Sequence, residues 1–281
     1  MKGELRLAQS WYPGHMAKAI SELTATLKLI DVVVEIVDSR APQATSNPHL
    51  SEVVQGLPIV VVLNKADLAD PIVTQQWMAY GRARGVAMIP ANCQSGRGVR
   101  EVIDAAVSQA GKSGPSRIRR RLRSAVVGIP NVGKSSFINR VTRRGSAKVG
   151  DRPGVTRAKQ WIVARSDMEM LDTPGIMPTR VDDPSVWKSL AILGCIDDNL
   201  VDMETLSHQL ITVLDDVGYP SFRSVYGIEP GVVGVHEILD AIGRRRGCML
   251  PGGIIDTERS AQAFLRDMRQ GKLGQISLER P

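Results

Sequence analysis

The sequence predicts an α/β fold, a mostly parallel, doubly wound sheet followed by a smaller all-α domain. Three observations carry this expectation. Short runs rich in Val and Ile alternate with stretches of helical periodicity over roughly the first 180 of 281 residues, the pattern of strands buried on both faces and joined by crossover helices. A segment of the form G-x-x-x-x-G-K-S at 128–135 lies between one such strand and one such helix. From about residue 185 onward the β-rich runs stop and only helical periodicity remains.

Taken in order, Met16, Ile20, Leu23, Leu27 and Ile30 recur at helical spacing and predict an amphipathic helix over 15–29. Strands are expected at "VVVEIVD" (32–38), "PIVVVLN" (58–64), "VAMIP" (86–90) and "SAVVGIP" (124–130), because near-continuous Val and Ile without alternation suits a two-sided burial. Helices are expected near 70–84, 98–110 and 134–143, and "KQWIVAR" and "DMEMLDTPG" add two further strands. "GKSGPS" at 111–116 has linker composition and runs straight into "RIRRRLR" at 117–123. The first domain is therefore placed at 1–180, with a join at 111–123. Helical periodicity over 186–194, 203–217, 234–245 and 258–270 defines the second domain, 185–281, with Phe264, Leu265 and Met268 as core of its last helix.

Composition excludes several classes. No apolar run reaches the roughly 18 residues needed to span a bilayer, and "MKGELRLAQSWYPGHM" has no apolar signal core, so a cytoplasmic protein is expected. Cys93, Cys195 and Cys248 lack metal or disulfide spacing. The net charge of +7 is uneven: 182–216 is acidic, while arginines cluster at Arg117, Arg119, Arg120, Arg121 and Arg123 and again at Arg244, Arg245 and Arg246. Such clusters attract phosphate, and nucleic acid and plain solvated surface are both open readings of them. At 4% aromatic residues, a base-stacking platform is not expected.

The chemistry lies in five short segments. In "GIPNVGKSS" the backbone around Asn131, Val132 and Gly133 is expected to close on phosphate oxygens, and the helix that starts at Lys134 adds a positive dipole. Lys134 neutralises the outer phosphates, and the Ser135 hydroxyl, next to Ser136, suits Mg²⁺. "NKAD" chooses the base. The Asp67 carboxylate accepts from the two donors on the guanine edge, which adenine lacks. Lys65 lays its stem over the ring, and Asn64 ties this loop to the phosphate side. "IPANCQSG" supplies Asn92 and Cys93, whose backbone is expected near the guanine carbonyl, with a small core side chain an equal reading for Cys93. "DRPGVTR" offers Thr156 as a second hydroxyl for Mg²⁺, and "LDTPG" offers Asp172, holding the metal through water, and Gly175, whose amide senses the last phosphate.

All elements of a P-loop GTPase are thus present, but the two base elements precede the phosphate loop. The order is a circular permutation, which the fold permits because the site is assembled in space from loops at strand ends. Its consequence is that the "LDTPG" switch leads directly into residues 185–281, so loss of the γ-phosphate contact has a short path to the helical domain. Ile176 stands where a Ras-like enzyme has a water-orienting glutamine, so intrinsic GTP hydrolysis is expected to be slow. Two other readings stay open: an RNA-binding assembly protein that senses nucleotide without turnover, and a P-loop ATPase or kinase.

The permuted order, "WYPGHMAKA", "DSRAP" and "RRRGCMLPGG" resemble the ribosome biogenesis GTPase A family over about Ser10 to Glu279. The resemblance implies a factor that binds the large ribosomal subunit precursor late in assembly and hydrolyses GTP slowly until the particle stimulates it; the free protein is expected to be a monomer. It further implies that Asn131 helps hold K⁺, that His15 reaches the active site to orient water, and that the two arginine clusters contact ribosomal RNA.

Overall fold

The computed structural model describes residues 26–54, 56–111, 121–144, 161–172, 181, 183–219, 221–229, 231–232 and 234–281. Each Val-rich run is a strand: β1 (Val32–Asp38), β2 (Ile59–Asn64), β3 (Ala87–Pro90), β4 (Leu122–Val127), β5 (Trp161–Arg165) and β6 (Met168–Asp172). They form one six-stranded sheet in the order β3-β2-β1-β4-β6-β5. Every pair is parallel except β5 with β6. All of β1 is buried, as expected where β-branched side chains meet helices on both faces.

The strand order explains how a permuted chain builds an ordinary site. β1 and β4 are neighbours at the centre, in register from Val32–Ser124 to Glu35–Val127. The chain winds outward from β1 through β2 and β3 on one side; on the other it passes from β4 to the edge strand β5 and turns back as β6, beside β4. The reversal makes the carboxyl ends of β1 and β4 a topological switch point, where a crevice opens for ligands. The loop after β4 is the glycine-framed segment, and the loop after β1 is Ser39-Arg40-Ala41.

The helices are α1 (Pro42–Thr45), α2 (Leu50–Val54), α3 (Pro71–Ala83), α4 (Val99–Gly111), α5 (Lys134–Arg144), α6 (Pro184–Ile192), α7 (Met203–Asp216), α8 (Phe222–Tyr226), α9 (Val235–Arg246) and α10 (Thr257–Arg269). Their starts are written locally. Asp70 and Asp183 accept backbone amides ahead of a proline in the first turn, and Asp202 and Asp256 cap α7 and α10 the same way. Gly227 and Gly247 end α8 and α9 in the left-handed conformation. Of the helix expected over 15–29, Leu27–Leu29 is a single 3₁₀ turn; Met16, Ile20 and Leu23 lie outside the described residues.

One apolar core runs through both parts of the chain. Val34 and Ile36 of β1, Phe137 of α5, Leu190 of α6, Leu210 of α7 and Phe264 of α10 belong to the same buried cluster. Phe264 is fully buried, its ring 5.8 Å from Phe222 and 5.9 Å from Tyr226. Leu265 and Met268 are buried beside it.

After α10 the chain returns to the sheet. The Ile276 amide donates to Leu68 O at 3.0 Å and the Leu278 amide to Arg40 O at 2.7 Å. Ser277 Oγ accepts from the Asp70 amide at 3.2 Å, and the Glu279 carboxylate accepts from the amides of Gln43 and Ala44. The last ten residues thus run along the loops after β1 and β2.

Candidate active site

The phosphate loop between β4 and α5 has no room for side chains at its two ends. Gly128 has φ +151°, and a Cβ there would lie 2.5 Å from Ile36 O. Gly133 has φ +105°, and its Cβ would lie 2.2 Å from Asn64 Nδ2. Asn131 adopts φ 63°, so the loop turns its backbone inward between them. Lys134 Nζ spans the loop and donates to Ile129 O at 2.8 Å. Ser135 and Ser136 are exposed on the first turn of α5, where the backbone amides of a helix start have no intrahelical acceptor. This cradle fits the phosphates of a magnesium nucleotide: Lys134 would meet them and the Ser135 hydroxyl is a hard oxygen ligand of the kind Mg²⁺ takes.

The base loop is tied to this cradle by Asn64, which is 3% exposed. Its Nδ2 donates to Val132 O at 2.6 Å, and its Oδ1 accepts from the Cys93 amide at 3.0 Å. Lys65, in the left-handed region at φ 57°, donates from Nζ to Asn131 O at 3.0 Å. Asp67 is exposed at the mouth of the site, and its carbonyl accepts from Gln275 Nε2 at 3.2 Å.

The third loop corrects one detail of the sequence reading. Cys93 is buried, its thiol pushed up to about 12 by burial, and its amide is held by Asn64. The Asn92 amide donates to Arg97 O at 2.9 Å, and the amides of Ser95 and Gly96 are also satisfied within the loop. Among the described residues Gln94 alone, from 92 to 97, has a backbone amide with no acceptor, and it is exposed. Asn92 and Cys93 shape the loop, and Gln94 carries its open donor. The motif spacing gave no signal for this, because it depends on which amide Asn64 captures.

Asp172 closes β6 in register with Val126, beside the start of the phosphate loop. His15, Thr156, Gly175, Ile176, Arg117, Arg119 and Arg120 lie outside the described residues. Arg121 contacts Ser166 O and Glu169. Arg244, Arg245 and Arg246 end α9 and are all exposed, but Arg246 turns back to the buried Asp267, which Tyr226 Oη also meets at 2.8 Å. Arg244 and Arg245 are left as the outward pair.

Sequence reasoning missed what stands behind the base loop. Asp38, at the end of β1, is fully buried and pairs with Arg40 at 2.8 Å and Lys65 at 2.9 Å. Burial alone would raise its carboxyl, but Arg40 and then Lys65 outweigh that and hold it well below the usual carboxylate range. The phosphate loop also touches the helical part directly: Asn131 Nδ2 donates to Gly194 O at 2.7 Å.

A family model described as 50S ribosome-binding GTPase matches residues 123–224, from β4 onward. Ribosome biogenesis GTPase A of Bacillus cereus is 41% identical over 276 residues, covering 96% of this chain and 93% of its own. The chain belongs to the ribosome biogenesis GTPase A family. Mitochondrial ribosome-associated GTPase 1 of Bos taurus is 31% identical over 292 residues, with 96% of this chain and 88% of that one covered. Among solved structures, YlqF from T. maritima, crystallised in a GNP-bound form, aligns with a TM-score of 0.68 at 27% identity over 94% of this chain and 98% of its own. This member of the family is therefore a ribosome-associated GTPase with a circularly permuted P-loop domain. No helix among the described residues is long and apolar enough to cross a membrane.

Proposed function

We propose that this GTPase acts in the cytoplasm as a monomeric factor late in assembly of the large ribosomal subunit, and that nucleotide state gates its binding to the precursor particle. The observation that carries this reading is the direct bonding of both nucleotide loops to the helical part, through Asn131 to Gly194 O and through Asp67 O to Gln275. A nucleotide that moves either loop acts on those contacts without an intermediary. Residues 1–180 form the GTPase domain in this reading, and 185–281 the ribosome-binding domain.

Within the site, Asp67 reads guanine, with the Gln94 amide facing its carbonyl; Lys134 meets the phosphates; and Ser135, Thr156 and, through water, Asp172 hold Mg²⁺. Gly175 senses the γ-phosphate. Ile176 leaves the attacking water without a side-chain acceptor, so intrinsic turnover is slow. K⁺ beside Asn131 and the His15 side chain supply charge and water orientation when the particle is bound. Arg117, Arg119 and Arg120 at the join, and Arg244 and Arg245 at the end of α9, contact RNA phosphates, while Arg121 and Arg246 are held by Glu169 and Asp267.

Sedimentation with purified large subunits tests this. Affinity is expected to differ by about tenfold or more between a non-hydrolysable GTP analogue and GDP, the range of an ordinary coupling free energy. Replacing Arg244 and Arg245 by alanine should reduce the slope of log affinity against log salt by about one per arginine. Equal binding in both nucleotide states, or an unchanged salt slope, would contradict the gating or the RNA contact respectively.

A further inference from the structure

The pair Asp38–Arg40 has a geometry that a plain core ion pair does not require. Arg40 is 1% exposed and grips Asp38 with two donors, Nε at 2.9 Å and Nη2 at 2.8 Å. A bidentate grip of this kind fixes the plane of the carboxylate. The other terminal nitrogen, Nη1, donates to Met268 O at the end of α10, at 3.1 Å, and the Arg40 carbonyl accepts the Leu278 amide at 2.7 Å. The carboxylate so fixed also accepts the Arg40 amide at 3.1 Å and, among the described residues, meets Lys65 Nζ at 2.9 Å.

A buried ion pair is seldom kept for stability alone, because well-packed apolar residues do as well or better. Lys65 gives this one a different use. Its four-carbon stem is flexible, and a lysine that must lie over a base loses that freedom on binding unless something holds it beforehand. Two fixed acceptors hold its ammonium head here, the Asp38 carboxylate and Asn131 O, both at Nζ. With the head pinned at one end and the backbone at the other, the stem is fixed at the residue before Ala66-Asp67.

We infer that Asp38 and Arg40 are positioning residues of the base site, which pre-set the Lys65 side chain over the purine ring and anchor it to the end of α10. This rests on the base-loop reading above. The effect is on binding, so it falls on nucleotide affinity and KM and leaves kcat unchanged. It is also blind to the base substituents, because the stem covers the ring and touches no edge.

The test uses the full-length protein with GDP and inosine diphosphate, which lacks the exocyclic amine that Asp67 reads. Asp38→Asn alone would strand a buried guanidinium, so it is paired with Arg40→Gln, which leaves two neutral groups able to hydrogen-bond each other. With a near-wild-type melting temperature, the double variant is expected to bind both nucleotides about tenfold more weakly, since Lys65 must then be ordered by the nucleotide itself. The GDP-to-IDP ratio should stay at its wild-type value, and the change should add nothing to Lys65→Met. Wild-type affinity in the folded double variant, an altered GDP-to-IDP ratio, or a loss that adds to that of Lys65→Met would overturn the inference. Should the double variant fail to fold, Arg40→Lys, which keeps the charge and loses the fork, must show the same equal, non-additive loss. If Lys65→Met itself binds GDP as wild type does, the base-loop reading fails and the inference with it.

Discussion

Asp67→Asn is expected to turn a guanine site into a xanthine site. Asp67 stands exposed at the mouth of the base loop, its backbone fixed by Gln275 and by the Ala66 amide on Ala91 O. Its carboxylate can accept from guanine N1–H and the exocyclic amine together. Each charge-assisted bond is worth about 1.5–3 kcal/mol, so losing both weakens GTP by roughly a hundred- to ten-thousandfold. The asparagine amide would instead donate to the carbonyl that xanthine carries in place of the amine, and xanthosine diphosphate should recover most of the lost affinity. Titration of a fluorescent GDP and its xanthosine counterpart measures both. Unchanged GDP affinity in the variant would remove Asp67 from the base site.

Gly133→Ala should be nearly as severe, for a steric reason. The position has φ +105°, which an L side chain rarely adopts, and the new methyl would lie 2.2 Å from Asn64 Nδ2. Something must move, and the nearest thing is the bond from Asn64 to Val132 O that closes the base loop on the phosphate loop. Backbone strain of about 1–3 kcal/mol adds to the loss of a buried hydrogen bond, about 1 kcal/mol. A loss of nucleotide affinity of about a hundredfold is expected. Calorimetric titration with GDP checks it, and wild-type affinity would show that the loop relaxes without releasing Asn64.

Much of this was legible in the sequence because its signals are local. Val-rich strands, proline- and aspartate-marked helix starts and the two nucleotide motifs all act within a few residues. The strands fall within a residue or two of expectation at β1, β2 and β3, and Asn64 makes the tie its motif implies. What stayed hidden depends on long separations. Arg40 reaches Met268 across 228 positions, and Asn131 reaches Gly194 across 63; no periodicity reports either. The short helices α1, α2 and α8 are held by tertiary packing, as the burial of Phe222 and Tyr226 shows for α8, and four or five residues carry too little pattern to predict. The motif position of Cys93 suits a base-loop residue and a small core side chain equally; its side chain is core and its amide is held by Asn64. One hint was available for the Asp38–Arg40 pair: a carboxylate and a guanidinium two residues apart, at the end of the strand that borders the switch point.

The most direct test of the account is GTP hydrolysis by the full chain in K⁺ and in Na⁺ buffer, with and without large ribosomal subunits. Slow turnover alone, rising about a hundredfold or more with subunits as charge and water orientation are completed, and lower in Na⁺ than in K⁺, is the predicted result. Turnover that is indifferent to both the particle and the cation would contradict the proposed ribosome-gated mechanism and the role given to Asn131.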